Sequence, residues 1–172
     1  MSTSAKAGSK SKSGKATPAG DDAITLLKGD HKEVKAMFKS YQKLVDDEAD
    51  GDEKQSLAEQ ICAALSAHAS VEEEIFYPAA REVLGDDADL VDEADVEHGS
   101  AKDLIAQIQA ASPEDDHYDA KVKVLGEYID HHVKEEEGEM FPRVAKSDLD
   151  LDSLGEEMAA RKDELLAELS GA

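Results

Sequence analysis

Histidine and glutamate placed four residues apart on a helix stand one turn above each other on the same face, so an imidazole nitrogen and a carboxylate oxygen can reach one metal ion. The chain offers that spacing twice in matching surroundings. His68-Ala-Ser-Val-Glu72 runs on to Phe76-Tyr77-Pro78, and later in the chain His132-Val-Lys-Glu-Glu136 runs on to Met140-Phe141-Pro142. A chain with 41 Asp and Glu residues produces some His-x-x-x-Glu matches by chance. The shared extension to an aromatic-proline pair sets these two apart and indicates two similar halves.

Two further histidines fall on apolar stripes at helical spacing. His31 lies among Ile24, Leu27, Val34, Phe38, Tyr41 and Val45, and His98 among Val91, Ala94, Ala101, Ile105 and Ile108. Either alone reads as a hydrogen-bonded core histidine. Glu72 shares a stripe with Leu57, Ile61, Leu65, His68 and Ile75. A carboxylate there must be protonated, paired or bound to a metal. Glu73 and Glu74 face elsewhere and read as solvated. His131 is turned about 100° from His132 on a helix of ordinary pitch and stays outside the ligand set. Tyr128, one turn before His132, reads as core packing with its hydroxyl satisfied.

The elements that must position these groups are helical. Ala, Leu, Glu, Asp and Lys dominate, aromatic residues make up 4% and Trp is absent, a composition that favours helices over sheets. Periodicity and capping residues predict long helices from Asp21 or Asp22 to about Asp47, from about Asp52 to Arg81, from about Asp86 to Ala111 and from about Glu114 to Lys146. Pro78 predicts a kink or a tightened last turn. Gly99 reads either as a close-approach position or as a tolerated surface glycine. A short amphipathic helix near Leu151 to Leu169 carries no ligand candidate; it packs outside the bundle or serves a second subunit.

Four long helices with short connections give an all-α fold, an up-down-up-down four-helix bundle with a short additional C-terminal helix. His31 early in the first rod and His68 late in the second are then level, as are His98 and His132. Four imidazoles and two carboxylates would meet in the core, too much polarity to bury empty. Two metal ions resolve that cost if His31 and His68 hold one, His98 and His132 the other, and Glu72 and Glu136 bridge. That scheme supplies about eight donor contacts of the roughly twelve that two octahedral ions need; a bridging oxide or hydroxide leaves about one open position on each. Imidazole and carboxylate donors suit iron, and zinc and copper fit the same spacing.

Length and charge bound the rest. A chain of 172 residues accommodates one domain. Residues 1–20, with four Lys and no acid, read as a flexible basic tail; residues 21–147 form the bundle and 148–172 the last helix. The net charge of -22 leaves residues 21–172 at -26, which argues against nucleic acid and anionic membranes as partners. The lone Cys62 excludes an intrachain disulfide and reads as a small core residue. An N-terminus without an apolar stretch points to the cytoplasm.

Asp30-His31 at a helix start, His68-x-x-x-Glu72 with Phe76-Tyr77-Pro78, Glu97-His98, and His132-x-x-x-Glu136 with Phe141-Pro142 together resemble the hemerythrin-like HHE cation-binding family over about residues 22–145. The resemblance implies a four-helix bundle around two iron ions with a bridging oxo or hydroxo group, meeting O2, peroxide or nitric oxide. By that resemblance His31, His68, Glu72, His98, His132 and Glu136 are the ligands. Oxygen-carrying hemerythrins place a second histidine one turn from the third-helix ligand; here Ala94 and Lys102 stand at that spacing. The departure disfavours reversible O2 carriage and favours sensing, peroxide turnover or iron handling. Two readings stay open: a di-iron protein that binds O2 or decomposes peroxide, and an iron or oxygen sensor acting through a partner without turnover. A homodimer or a redox partner is compatible with both.

Overall fold

In a computed structural model, residues 20–171 are described; the basic tail lies almost entirely outside them. They form α1 (Ala23–Asp46), α2 (Gly51–Val71), a π-helical turn (Glu72–Phe76), α3 (Tyr77–Leu84), α4 (Asp89–Gln109), α5 (Tyr118–Glu135), a second π-helical turn (Glu136–Met140), α6 (Phe141–Ala145) and α7 (Leu151–Leu169). Each π turn joins its flanking helices end to end, so the described residues make four long rods and a fifth, shorter helix. α1 packs on α2 and α5, and α4 packs on the same two. This is the predicted all-α bundle. Among the described residues no helix is long and apolar enough to cross a membrane.

Capping sets several starts. Asp22, Asp50 and Asp150 accept from the backbone N–H of Thr25, Glu53 and Ser153 at 2.9, 3.0 and 3.0 Å, covering donors that the first turns of α1, α2 and α7 leave open. The fourth rod begins at Tyr118, four residues later than the expected Glu114. Asp115 takes the Ser112 N–H into a turn at 2.8 Å, and His117 adopts the left-handed conformation (φ 73°), which delays the helix past Pro113.

Pro78 does not end the second rod. The turn before it is widened rather than tightened: the Tyr77 N–H reaches the Glu72 carbonyl, five residues back. Proline has no N–H to give and its ring crowds the carbonyl four residues earlier, so a wider turn accommodates both defects. Pro142 repeats the arrangement, with the Phe141 N–H on the Glu136 carbonyl. Each wide turn begins at a glutamate singled out in the sequence.

Two apolar clusters fill the bundle. One gathers Leu27, Val71, Phe76, Phe141 and Met158; the other gathers Val34, Ile61, Leu65, Ile105 and Leu125. Phe76 and Phe141 are fully buried, and burial of each is worth about 1.5–3 kcal/mol. Cys62 is a buried core residue as expected. Tyr128 is not: it is 47% exposed, and Ile129 takes the inward position beside it. Gly99 has open space around it and is a surface glycine. Gly155 is different, because a side chain there would clash with the Asp21 carbonyl; its absence lets α7 lie against the start of α1.

Candidate metal centre

Between the two apolar clusters lies a single polar layer. His31 from α1, His68 from α2, His98 from α4 and His132 from α5 enter it, together with Glu72 and Glu136 from the two π turns. All six are buried, the two glutamates at 0% and 1% exposure. The structure therefore brings together every residue that the sequence singled out. It leaves His131 at the surface, 64% exposed.

The layer divides into two nests. In the first, His31 Nε2 lies 3.2 Å from His68 Nε2 and 3.2 Å from Glu136 Oε2, while His68 Nε2 lies 3.3 Å from Glu72 Oε1. In the second, His98 Nε2 lies 3.2 Å from His132 Nε2 and 3.2 Å from Glu72 Oε2, while His132 Nε2 lies 3.4 Å from Glu136 Oε1. Each glutamate thus gives one oxygen to each nest. Donors bound cis on one octahedral ion at about 2.1 Å stand roughly 3 Å apart, close to these separations.

The outward nitrogens are oriented too. His31, His68, His98 and His132 donate from Nδ1 to Glu137, Asp30, Glu73 and Glu97 at 2.9, 3.1, 2.9 and 2.7 Å. A carboxylate only accepts, so each Nδ1 carries the proton and each Nε2 is the nitrogen available to an ion. Glu73, expected in solvent, is one of these orienting groups. Its neighbour Glu74 is outside and pairs with Arg161 at 2.7 Å. The signal for Asp30 and Glu97 was adjacency to a histidine; Glu73 carried none, because its reach across to α4 depends on how two distant rods pack.

Proton affinities reflect the crowding. Burial alone would lower the His68 imidazole, but the Glu72 charge and the Asp30 hydrogen bond outweigh it and raise it to about 10. At His132 burial again opposes, and Glu97 with the two central glutamates raises it to about 9. Glu72 is held well below the usual carboxylate range, its burial offset by His68 and His98. Protons on these imidazoles are the simplest occupants of the nests, and a metal ion must displace them.

Protons leave the pairing incomplete. Glu72 Oε1 and Glu136 Oε2, both in the first nest, are buried without a hydrogen-bond partner. A buried carboxylate oxygen without a partner carries a desolvation cost that a cation between the donors would remove. The donor set fits such an ion.

The second nest holds a group the sequence reading passed over. The Tyr77 hydroxyl donates to Glu136 Oε1 at 2.7 Å and lies 3.3 Å from Glu72 Oε2 and 3.2 Å from His98 Nε2. Burial, followed by the two glutamate charges, pushes its phenol far above the ordinary value. The position equivalent to Tyr77 in the second half is Phe141, whose ring stacks on His31 at a 5.8 Å centroid distance and has no oxygen to offer. The signal was visible as Tyr-Pro against Phe-Pro, but its meaning required the aromatic of one half to reach the nest of the other.

A cavity of about 110 Å³ opens beside the layer. All four histidines border it, with Val34, Leu65, Ala101, Ile105 and Ile129 forming its apolar wall; Glu72, Glu136 and Tyr77 do not. It exceeds the roughly 10–15 Å³ that one water requires, so a small molecule has room against the histidine side of the layer.

The family model for the hemerythrin HHE cation-binding domain matches residues 22–144. The crystal structure of a hemerythrin HHE cation-binding domain-containing protein from Mycobacterium kansasii is similar in fold, with a TM-score of 0.71 and 24% identity over 86% of this chain and 89% of that one. A curated protein from Nostoc sp. (strain PCC 7120), called a DNA nickase, is 31% identical over 121 residues, or 69% of this chain. The match covers 32% of that protein, so the chain spans about a third of its length.

Proposed function

The chain belongs to the hemerythrin HHE cation-binding family, and from that premise we propose that it holds two iron ions and reacts through them with O2, hydrogen peroxide or nitric oxide. The carrying observation is the pair of partnerless oxygens, Glu72 Oε1 and Glu136 Oε2, facing a ring of Nε2 atoms in a buried layer. His31 and His68 would hold one ion and His98 and His132 the other, Glu72 and Glu136 would each offer an oxygen to both, and an oxo or hydroxo group would complete the cofactor. Mixed imidazole and carboxylate donors suit iron, and the family resemblance selects it over the zinc and copper that the same donors would accept. When bound, the irons supply one-electron redox steps and open positions for a small ligand.

The chain's own residues set the conditions for that chemistry. Asp30, Glu73, Glu97 and Glu137 fix the imidazole rings from outside, which holds each Nε2 toward the centre. The apolar wall of the cavity admits uncharged small molecules from the histidine side and disfavours bulk water. Tyr77 keeps its hydroxyl proton against Glu136 in the second nest, where it can donate a hydrogen bond to a bound ligand. The first nest has no such group, so we assign the more open position to the ion between His31 and His68.

The alternative, an iron or oxygen sensor without turnover, is favoured by the contact between α7 and the bundle near the metal layer. Nicking activity is not carried over from the Nostoc protein: the net charge of -22 opposes binding to a phosphate backbone. Anaerobic purification followed by metal analysis and peroxide addition tests the proposal. About two irons per chain with oxygen release on peroxide addition supports turnover, and stable oxygenation supports a carrier. Stoichiometric zinc without iron overturns the assignment.

A further inference from the structure

Helix α7 lies beyond the residues matched by the family model, yet one of its side chains reaches the metal layer. The Lys162 ammonium donates to Asp30 Oδ1, and Asp30 Oδ2 accepts from His68 Nδ1 at 3.1 Å. Both members of the ion pair are largely sheltered, Asp30 at 12% and Lys162 at 23% exposure. Lys162 also borders the cavity, as does Leu166 one turn further along the same helix. α7 is therefore in direct contact with the shell around the first nest.

We propose that Lys162 is a positioning residue of the metal centre, acting through Asp30 to orient His68. The proposal rests on the assignment of His68 as a ligand. A sheltered carboxylate between an imidazole N–H and an ammonium has both oxygens partnered and one orientation. Without the ammonium one oxygen is left without its ionic partner, and the carboxylate gains by turning toward water, which releases the His68 ring.

The second nest has a counterpart within the bundle. Lys102 on α4 donates to both oxygens of Glu73 at 2.7 and 2.6 Å, and Glu73 orients His98. Among the described residues, Glu137 and Glu97, which orient His31 and His132, have no Lys or Arg within 4.0 Å. One histidine in each nest is thus backed by a lysine-supported carboxylate. For the first nest that lysine comes from α7. Metal retention is consequently coupled to the Lys162–Asp30 contact of α7 rather than to the packing of the whole helix.

The experiment uses the full chain loaded with two irons and measures iron release to excess chelator. Lys162→Met should speed release of one ion of the two by about tenfold, the lower end of the usual effect of removing an orienting partner. Lys162→Arg should restore the slow rate. Arg161→Met removes the neighbouring anchor of α7 to Glu74 without touching Asp30 and should leave both rates unchanged. Asp30→Asn combined with Lys162→Met should release iron no faster than Asp30→Asn alone, because the two act in series. Unchanged release from Lys162→Met, or equal acceleration by Arg161→Met, overturns the proposal while leaving the metal assignment standing. Failure of the unmodified chain to hold two ions overturns both.

Discussion

The two nests are built from the same parts and differ by one oxygen atom. Each has two imidazoles, one from either partner of an antiparallel pair, and one oxygen from each central glutamate. Behind the first stands the Phe141 ring; beside the second stands the Tyr77 hydroxyl. The same difference decides where the partnerless oxygens lie, since Tyr77 satisfies Glu136 Oε1 and both orphans fall in the first nest. Duplicated architecture supplies a pair of sites, and a single hydroxyl makes them chemically unequal.

The largest test removes what the nests share. Glu72→Gln takes the charge from a group that spans both, so bound metal should fall from two ions per chain to less than one, measured by elemental analysis after gel filtration. Retention of both ions would show that the nests do not depend on the bridging carboxylates. The next test removes the difference. Tyr77→Phe should equalise the nests, speed nitric oxide binding at the second ion by stopped-flow absorbance, and destabilise the metal-free protein by about 1–3 kcal/mol as Glu136 Oε1 loses its donor. Phe141→Tyr should slow ligand entry to the first. If neither change separates the two ions spectroscopically, the inequality read from the hydroxyl is wrong.

A smaller effect concerns pH. His68 in the first nest and His132 in the second both have raised proton affinities in the metal-free chain, to about 10 and about 9. Their contribution to folding is complete below the unfolded histidine value of about 6.5 and is lost as pH rises through 9 and 10. The melting temperature of metal-free protein should fall between pH 7 and 10, whereas metal affinity should rise over the same range because binding displaces those protons. Calorimetry on both forms checks the opposite slopes. The smallest effect is a control: His131→Ala, outside both nests, should leave two ions bound and change stability by no more than about 0.5 kcal/mol, measured by denaturant unfolding.

Much of this was legible in the residues. Local periodicity placed His31, His68, Glu72, His98, His132 and Glu136 on inward stripes, and antiparallel rods levelled them in pairs. What escaped depended on contacts between rods. Tyr77 and Glu73 lie within the most informative stretch of the chain, yet both serve His98, more than twenty residues away. Lys162 sits on a helix that offered no ligand, and its contact with Asp30 depends on the approach of that helix, which Gly155 permits. The start of α5 and the shape of the turn at Pro78 were missed for a local reason: proline marks a disturbance in the backbone without specifying which distortion absorbs it.

The wide turns at Glu72–Phe76 and Glu136–Met140 each hold one residue more than an ordinary helix would. Winding the first of them regularly with its residue count unchanged would rotate everything downstream by about 100°. Tyr77 would swing away from the second nest, and Ala80 and Leu84 would leave the core in the same movement. Chemistry at the centre and packing at the end of the rod are thus phased by one widened turn that absorbs a supernumerary residue, so losing the widening should abolish both at once where a substitution elsewhere would damage only one.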